Sequence, residues 1–405
     1  MNRNVIIVVT LDTKGEEASY LRDIMNRKGI SSRVIDVGVL GKPSFQPDIT
    51  REAVASRLSL TMEEIRSWND EERAVKAMSD GASRIIQELH EQGAISGLIA
   101  LGGSMGTSIA LPIMKMLPMG IPKLMVSTVA FTPFIRPEFV SKDLILMQSV
   151  ADMWGLNRIT REMLEIASLM IAGAADRKES KTVDKPLIAI SSLGGAACRF
   201  VFDVKPLLEQ KGFEVAVFHA TGMQGKAMEE LIGEGMIDGV LDLCPYEIIN
   251  ELCGGSCSAG PLRMEAAGRR GIPQVIGASA LGFFDWAGPP ETFPEKYRGR
   301  IWNKHNDLSW EIKASRDEMI QVAKIMASKL NKSAGPVAVL IPGGGFSERD
   351  KPGAVFYDPG NNKAFMDTLR THIKPGIEYV ELSCHANDPE YSQMAVKLLL
   401  EMLNR

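Results

Sequence analysis

The sequence predicts an α/β protein of two domains, each a mostly parallel, doubly wound sheet flanked by helices. Three observations predict this fold. The chain has 405 residues, which is too long for a fold with one ordinary hydrophobic core. Short apolar, strand-like runs alternate with helix-like segments in both halves. A charged, helix-ending stretch at 176–181, just before Pro186, separates the halves. We therefore expect domains at residues 1–180 and 181–405.

In the first half, apolar β-branched runs are separated by segments with helical periodicity. Predicted strands cover residues 5–10, 33–37, 97–101, 123–127 and 143–147. Predicted helices cover residues 15–28, 71–91, 107–116 and 160–175. Strands spaced in this way, with helices between them, pair in parallel through right-handed crossovers.

The second half repeats this alternation without clear sequence identity to the first. Its predicted strands cover residues 187–191, 214–219, 239–243, 274–277, 337–341 and 378–382. Residues 283–312, which contain Pro, Trp and Phe residues, are expected to form a long irregular excursion. Long loops of this kind in compact domains usually carry function.

Composition and charge argue against several classes of protein. The 45% hydrophobic and 24% charged residues are typical of a globular chain. A net charge of −4 and the absence of a Lys/Arg run argue against nucleic-acid binding. No apolar run approaches the ~18 residues of a membrane span, and the apolar N-terminal run is too short for a signal peptide. Five cysteines without an export signal predict reduced thiols in a cytoplasmic protein.

The loop at 10–15 follows the first predicted strand and opens a helix. Asp12, Thr13 and Lys14 provide a carboxylate, a hydroxyl and a cation there. The N-terminus of a helix presents free N–H groups and the positive end of its dipole, and a lysine adds charge for a phosphate. The pattern indicates an anion-binding loop.

A second loop with similar chemistry follows the third predicted strand. Its glycines let the backbone approach an anion closely, and its hydroxyls add donors. These residues are Gly102, Gly103, Ser104, Gly106 and Thr107. Neither loop matches the Walker A or dinucleotide spacing, and a tight turn with Thr107 as an ordinary N-cap is the alternative. Two such loops after strands of one sheet favour a phosphate site.

Side chains of catalytic type follow the predicted strands of the second half. They are His219, Glu247, Arg263, His305 and His385. If the three histidines and Glu247 converge, they form a general acid/base or metal site. His90 and His372 lie on helical patterns and are expected to be structural. Cys253 and Cys257 flank glycines, and we interpret them as buried, inert thiols rather than reactive or zinc-binding ones.

An ordered set of short motifs resembles the ATP-binding family of the tomato mosaic virus resistance protein's N-terminal inhibitory domain. The motifs lie at residues 10–17, 101–107, 120–123, 127–130, 219–222, 271–274, 305–306 and 385–388. The resemblance thus covers essentially the whole chain. It implies two Rossmann-like domains and an ATP site in the first.

The resemblance also implies which residues bind ATP. They are Asp12, Thr13, Lys14, Val39, Arg73, Gly102, Gly103, Ser104 and Gly106. Arg73 is expected near the phosphates, with a solvated helix charge as its alternative. Met105 stands where many members of the family have a small residue. Mg²⁺ is expected to accompany ATP, with Asp12 and Glu16 as candidate ligands.

Three functions remain open. The first is an ATP-dependent enzyme acting on a small polar metabolite in the interdomain cleft, with His219 or His385 handling a proton. The second is a nucleotide-regulated protein-binding module without turnover. The third is a metal-dependent sugar-acid or phosphosugar enzyme. The histidines and carboxylates at strand ends favour an enzyme. An apolar helix rich in Ala and Met at 160–175 suggests a homodimer or higher homo-oligomer, with packing in the core as the alternative.

Overall fold

The computed structural model describes residues 4–177, 185–194 and 197–404. The chain divides into two compact units, Met1–Lys181 and Thr182–Arg405. Each unit contains a parallel sheet flanked by helices, which confirms the predicted fold class. Residues 178–181 of the predicted charged stretch lie outside the described residues. In the described part of the chain, no helix is long and apolar enough to cross a membrane.

The first unit is built on five parallel strands with apolar residues on both faces. The strands are β1 (Asn4–Val9), β2 (Ser32–Asp36), β3 (Ile95–Gly102), β4 (Lys123–Ser127) and β5 (Leu144–Gln148). The helices are α1 (Gly15–Arg27), α2 (Arg51–Ser56), α3 (Met62–Ser67), α4 (Glu71–Glu91), α5 (Ser104–Lys115) and α6 (Arg158–Ala175), with a 3₁₀ turn at Pro137–Phe139. The strand order is β2-β1-β3-β4-β5.

Alternate residues of β1 enter two different hydrophobic cores. Ile6 and Val8 pack in a core with α4 and α5, whereas Val5 and Ile7 pack in a core with α1 and α6. A strand buried on both faces reads as a continuous apolar run, which is why sequence identified it. The short helices α2 and α3 escaped prediction although Thr50 and Thr61 cap them. Six residues are too few to show helical periodicity.

Within its described residues, the second unit contains two sheets. Its strands are β6 (Leu187–Ser192), β7 (Glu214–His219), β8 (Gly239–Asp242), β9 (Gln274–Ile276), β10 (Phe283–Trp286), β11 (Trp302–Lys304), β12 (Trp310–Lys313), β13 (Val337–Pro342) and β14 (Glu378–Leu382). Its helices are α7 (Val201–Gln210), α8 (Met223–Gly233), α9 (Tyr246–Cys253), α10 (Ala266–Arg270), α11 (Arg316–Leu330), α12 (Pro359–His372) and α13 (Pro389–Leu403). The main sheet has the order β14-β13-β9-β8-β6-β7 and is parallel throughout.

The segment predicted as an irregular excursion forms a three-stranded antiparallel sheet, β10-β12-β11. Phe283, Phe284 and Tyr297 from this segment are buried in the core of the second unit. The rings of Phe284 and Tyr297 lie 4.8 Å apart. Strands of three or four residues between prolines carry too little alternation to be recognised in sequence. The prediction of an irregular segment was therefore wrong for these three strands, whereas residues 287–301 and 305–309 contain no strand.

Candidate functional site

A cavity of about 540 Å³ opens in the first unit beside the carboxyl ends of β1 and β3. In the strand order β2-β1-β3, the chain leaves β1 toward one edge of the sheet and leaves β3 toward the other edge. The cavity therefore lies at a topological switch point. Loops diverge at such a switch point and leave a crevice where open α/β sheets bind ligands. The predicted residues that line it are Asp12, Thr13, Lys14, Val39, Gly103, Ser104 and Gly106.

Lys14 is the N-cap residue of α1, and no side chain caps this helix. Its ammonium donates to the carbonyl of Met153 and lies 5.6 Å from the centroid of the Trp154 ring. An ammonium has three N–H donors, so this contact leaves donors for a second group. The uncapped first turn of α1 adds free N–H groups beside it. This corner of the cavity is suited to an anion.

Asp12 lines the cavity, but its carboxylate mainly accepts hydrogen bonds from the segment that forms the cavity wall. Its Oδ2 accepts N–H hydrogen bonds from Leu40 at 3.2 Å and Gly41 at 3.1 Å. The same oxygen lies 3.8 Å from Arg51, and the side chain is only 6% exposed. Glu16, the other expected Mg²⁺ ligand, is absent from the residues lining the cavity. The carboxylate of Asp12 therefore organises the segment after β2.

A buried ion pair that sequence reasoning missed supports this wall. Asp36 ends β2 and accepts hydrogen bonds from the N–H of Leu11 at 3.1 Å and of Gly38 at 2.9 Å. Its second oxygen accepts from Nε of Arg51 at 2.7 Å. The pair ties the loop after β1 to the loop after β2. Their separation of 15 positions gives no local signal, because only the fold brings them together.

The residues of the loop after β3 divide into structural and cavity-lining ones. A Cβ on Gly102 would lie 2.8 Å from Cα of Gly106, so α5 packs directly on the end of β3. Thr107 is buried, with its hydroxyl 2.7 Å from that of Ser127. Gly102 and Thr107 do not line the cavity. Gly103 and Ser104 do, at the N-terminus of α5, which no side chain caps.

Apolar residues line much of the rest of the cavity: Val37, Val39, Leu40, Ile65, Ala74, Val75, Met105 and Ile109. The polar residues Arg66, Asn69, Asp70 and Glu71 line it as well. Arg66 fixes the wall by donating from Nε to the carbonyl of Val39 at 2.6 Å. Sequence reasoning missed the contribution of α3, although the Thr61–Glu64 capping box was a usable signal for that helix. The cavity thus joins an apolar side to two helix N-termini.

The structure places Arg73 away from the cavity lining. Its guanidinium stacks on Trp68, 3.8 Å from the ring centroid. Its backbone N–H donates to the side chain of Asp70, the N-cap of α4. This arrangement matches the alternative expectation for Arg73, a charge on the first turn of a helix.

In the second unit, Glu247 and Arg263 belong to a buried network of charges. Arg263 donates to Glu247 at 2.6 Å, to Asp242 at 2.5 and 2.7 Å, and to Glu229 at 3.2 Å. Arg263 and Glu247 are 1% and 0% exposed. Burial raises the pKa of Glu247, against the lowering effect of Arg263. The network holds the loop after β7, because the N–H of Gly222 donates to Glu247 at 2.7 Å.

The three histidines occupy separate surroundings. His219 ends β7 at one edge of the main sheet and is exposed, with Nδ1 3.5 Å from Thr221 Oγ1. His305 lies at the small sheet, with Nδ1 3.0 Å from Arg349. His385 follows β14 at the other edge of the main sheet. Among the described residues, no three His, Cys, Asp or Glu side chains form a group that could hold a metal ion.

Both ring nitrogens of His385 contact the backbone. Nε2 lies 3.0 Å from the carbonyl of Ser347, and Nδ1 accepts the N–H of Asn387 at 3.1 Å. These two contacts tie the ring to the loops after β13 and β14 and position the loop after β14. His372 also contacts a carbonyl, that of Thr368, at 2.8 Å.

Cys253 and Cys257 have surroundings that disfavour thiolates. Burial raises the pKa of Cys253 to about 12. Burial also raises the pKa of Cys257, and its Sγ lies 3.3 Å from a carboxylate oxygen of Asp285, which acts in the same direction. Thiolates are the reactive and metal-binding form, so both thiols have inert surroundings.

The fold and the cavity define a two-domain α/β protein. Its first sheet has a crevice at the switch point, where open α/β sheets bind ligands. The chain belongs to the uncharacterised protein family UPF0261, since residues 3–180 match its N-terminal domain and residues 185–403 its C-terminal domain. A UPF0261 protein of Clostridium tetani is 39% identical over 100% of both chains. One from Brucella suis is 37% identical, covering 97% of this chain and 94% of its own.

More distant similarities extend to a plant protein and to a solved enzyme structure. The tomato ToMV resistance protein Tm-1(GCR237) is 32% identical over 81% of this chain and 44% of its own length. The glycosyltransferase SnogD from Streptomyces nogalater covers 99% of this chain and 100% of its own, with 11% identity and a TM-score of 0.24.

Proposed function

We propose that the first unit binds ATP in the cavity beside the ends of β1 and β3. The observation that carries the proposal is the pairing of an apolar side with two uncapped helix N-termini in one cavity of about 540 Å³. A nucleotide has the same two-part chemistry, an apolar aromatic base and an anionic phosphate chain. The volume lies within the usual range for sites of small ligands.

The residues present fit this ligand. Lys14 and the first turns of α1 and α5 would hold phosphate oxygens, because helix N-termini and ammonium groups stabilise anions. Val39, Ile65 and Val75 would contact the base. The segment of Val39 is fixed on both sides, by Asp12 and by Arg66, so the apolar side is formed before a ligand arrives. Mg²⁺ would be held mainly by the phosphates and water, as is usual for this ion.

Direct binding measurements with matched lysine variants test the proposal. ATP should bind the wild-type protein, and Lys14→Met should weaken binding by at least about tenfold, since charge-assisted hydrogen bonds contribute roughly 1.5–3 kcal/mol. Lys28→Met is the control, because Lys28 lies at the opposite end of α1 and outside the cavity lining. Absence of ATP binding by the wild-type protein, or equal loss in both variants, would sink the proposal.

We further propose that the protein is an enzyme that uses ATP on a small polar metabolite. ATP supplies a phosphoryl or nucleotidyl group for transfer. Support comes from the second unit, which has a polar cavity of about 550 Å³ among its strand-end loops. Incubation with ATP, Mg²⁺ and a pool of cell metabolites should produce ADP or AMP together with loss of one metabolite. Tight ATP binding without any turnover would contradict this proposal.

A nucleotide-regulated binding module is the competing proposal. It is favoured by the 32% identity to a tomato protein named for virus resistance. In that case ATP would bind without consumption and would change the affinity for a protein partner. The turnover experiment therefore separates the two proposals.

A further inference from the structure

The second unit contains a polar cavity of about 550 Å³ among the loops that follow β6, β13 and β14. These loops leave the carboxyl ends of parallel strands, where open α/β sheets bind ligands. Its lining includes Arg199, Asp203, Glu348, Lys351, Asn387 and Asp388. Charged and amide groups dominate this set, so a polar ligand fits it better than an apolar one.

Asn387 joins the three loops that form the walls. Its Oδ1 accepts the N–H of Arg199 at 2.7 Å, and its Nδ2 donates to the carbonyl of Ala197 at 3.2 Å. The same amide donates to Glu348 at 3.0 Å. His385 adds a further link through the carbonyl of Ser347. The cavity is therefore built by specific contacts between segments far apart in sequence.

Most charges around the cavity are already paired. Lys351 forms an ion pair with Glu348, and Asp388 accepts the N–H of His385 at 2.7 Å. Arg199 and Asp203 differ. In the described part of the chain, no hydrogen bond or ion pair engages the guanidinium of Arg199 or the carboxylate of Asp203. Among the described residues, one unpaired cation and one unpaired anion thus line the same cavity, Arg199 two positions before α7 and Asp203 in its first turn.

We propose that this cavity binds a small carboxylic acid that also carries hydroxyl or amino groups. Arg199 would bind the carboxylate, because a guanidinium offers a planar pair of N–H donors that matches two carboxylate oxygens. Asp203 would accept hydrogen bonds from the hydroxyl or ammonium groups of the same ligand. Asn387 is a positioning residue, since it acts by holding Arg199 and Glu348. The proposal names the substrate class for the enzyme proposed above and rests on it for its role, although binding itself does not require ATP.

Ligand-observed NMR on the full chain tests the site with four probes. D-gluconate and L-serine carry the carboxylate with hydroxyl or ammonium groups, and sorbitol and ethanolamine lack the carboxylate. Saturable binding of gluconate or serine is expected, with no binding of the carboxylate-free compound of the same pair. Binding of gluconate would indicate a hydroxy acid as the ligand class, and binding of serine would indicate an amino acid. Failure of both acids up to about 10 mM, above the usual range of KM, would overturn the proposal.

Variants assign the binding to this cavity. Arg199→Ala should weaken binding of the acid at least about tenfold, and Arg199→Lys should restore only part of it, since an ammonium cannot form the paired contact. Arg298→Ala, an exposed arginine of the same unit outside the lining, should bind as the wild type does. Wild-type affinity in a folded Arg199→Ala variant would overturn the assignment. ATP binding by the wild-type protein, measured in parallel, shows which of the two proposals has failed.

Discussion

At the residue scale, Gly102 and Gly103 in the loop after β3 have different structural roles. A Cβ on Gly102 would lie 2.8 Å from the backbone of Gly106, closer than real Cβ contacts allow. A Cβ on Gly103 would have Thr128 Oγ1 as its nearest neighbour, at the ordinary distance of 3.6 Å. Gly102 is therefore needed for packing, whereas Gly103 keeps the cavity open. The sequence alone presented both as one phosphate-loop pattern.

Alanine variants of these two glycines should separate packing from binding. Gly102→Ala should destabilise the protein by roughly 1–3 kcal/mol, as overpacking does. Gly103→Ala should leave stability within about 0.5 kcal/mol and weaken ATP binding, because the methyl group lies at the cavity. Chemical denaturation and calorimetric titration of both variants measure the two effects. A stable Gly102→Ala protein would show that the end of β3 can move away from α5.

Arg263 should be among the residues most important for stability. Removing its charge leaves Asp242 and Glu247 buried without a cation, and breaking a buried pair costs about 3–5 kcal/mol. We expect Arg263→Met to lower the free energy of unfolding by this amount. Arg269→Met is the control, because Arg269 is half exposed and pairs with Glu265 on the helix surface, where a pair contributes at most about 1 kcal/mol. Equal effects in urea unfolding would contradict the structural role given to Arg263.

At the element scale, helix starts in this protein are either capped or left open. The helices α3, α6 and α11 begin with complete capping boxes, which satisfy their first N–H groups internally. No side chain caps α1 or α5, and both begin at the cavity. A capped start stabilises the fold, whereas an open start leaves donors for a ligand. Helices α7, α8, α9, α10 and α13 also lack a side-chain cap, so an open start supports the proposed phosphate position only because α1 and α5 begin at the cavity.

Glu318 should make the stability of α11 depend on pH. Burial opposes the charge of Glu318, but Arg300 at 2.6 Å and the N–H of Ser315 at 2.7 Å hold its pKa below the ordinary value of 4.5. Its stabilising contribution is therefore present above pH 4.5 and is lost as the pH falls through the lowered pKa. Glu318→Gln should cost about 1–2 kcal/mol at neutral pH, and this cost should shrink as the pH falls progressively below 4.5. Unfolding curves at a series of pH values measure the cost, with the exposed Glu209→Gln as control. A cost that does not change with pH would contradict the prediction.

At the scale of the whole molecule, each unit has its own sheet and its own hydrophobic cores. Ligands that bind a native unit stabilise that unit by mass action. ATP and the proposed carboxylic acid would therefore act on different units. The expected homo-oligomer stays a prediction.

Calorimetry of the full chain should resolve this difference between the units. ATP at a hundred times its Kd should stabilise the first unit by about 2.7 kcal/mol and raise its unfolding temperature. A transition of the second unit should stay unchanged. Lys14→Met, with its Kd raised at least about tenfold, should reduce this stabilisation to about 1.4 kcal/mol or less at the same ATP concentration. A shift of the second transition alone would place ATP in the wrong unit and contradict the proposed site.

Local patterns in the sequence predicted the α/β class, most of the parallel strands and the two loops that lie at the first cavity. These features are local, because apolar runs, helical periodicity and glycine-rich loops after strands depend only on residues close together in the sequence. The three-dimensional fold selects which of those residues line the cavity. It paired Asp36 with Arg51, buried Glu247 against Arg263, and separated His219 from His385 at opposite edges of one sheet. Contacts between residues far apart in sequence depend on strand order and burial, and neither is encoded in a local pattern.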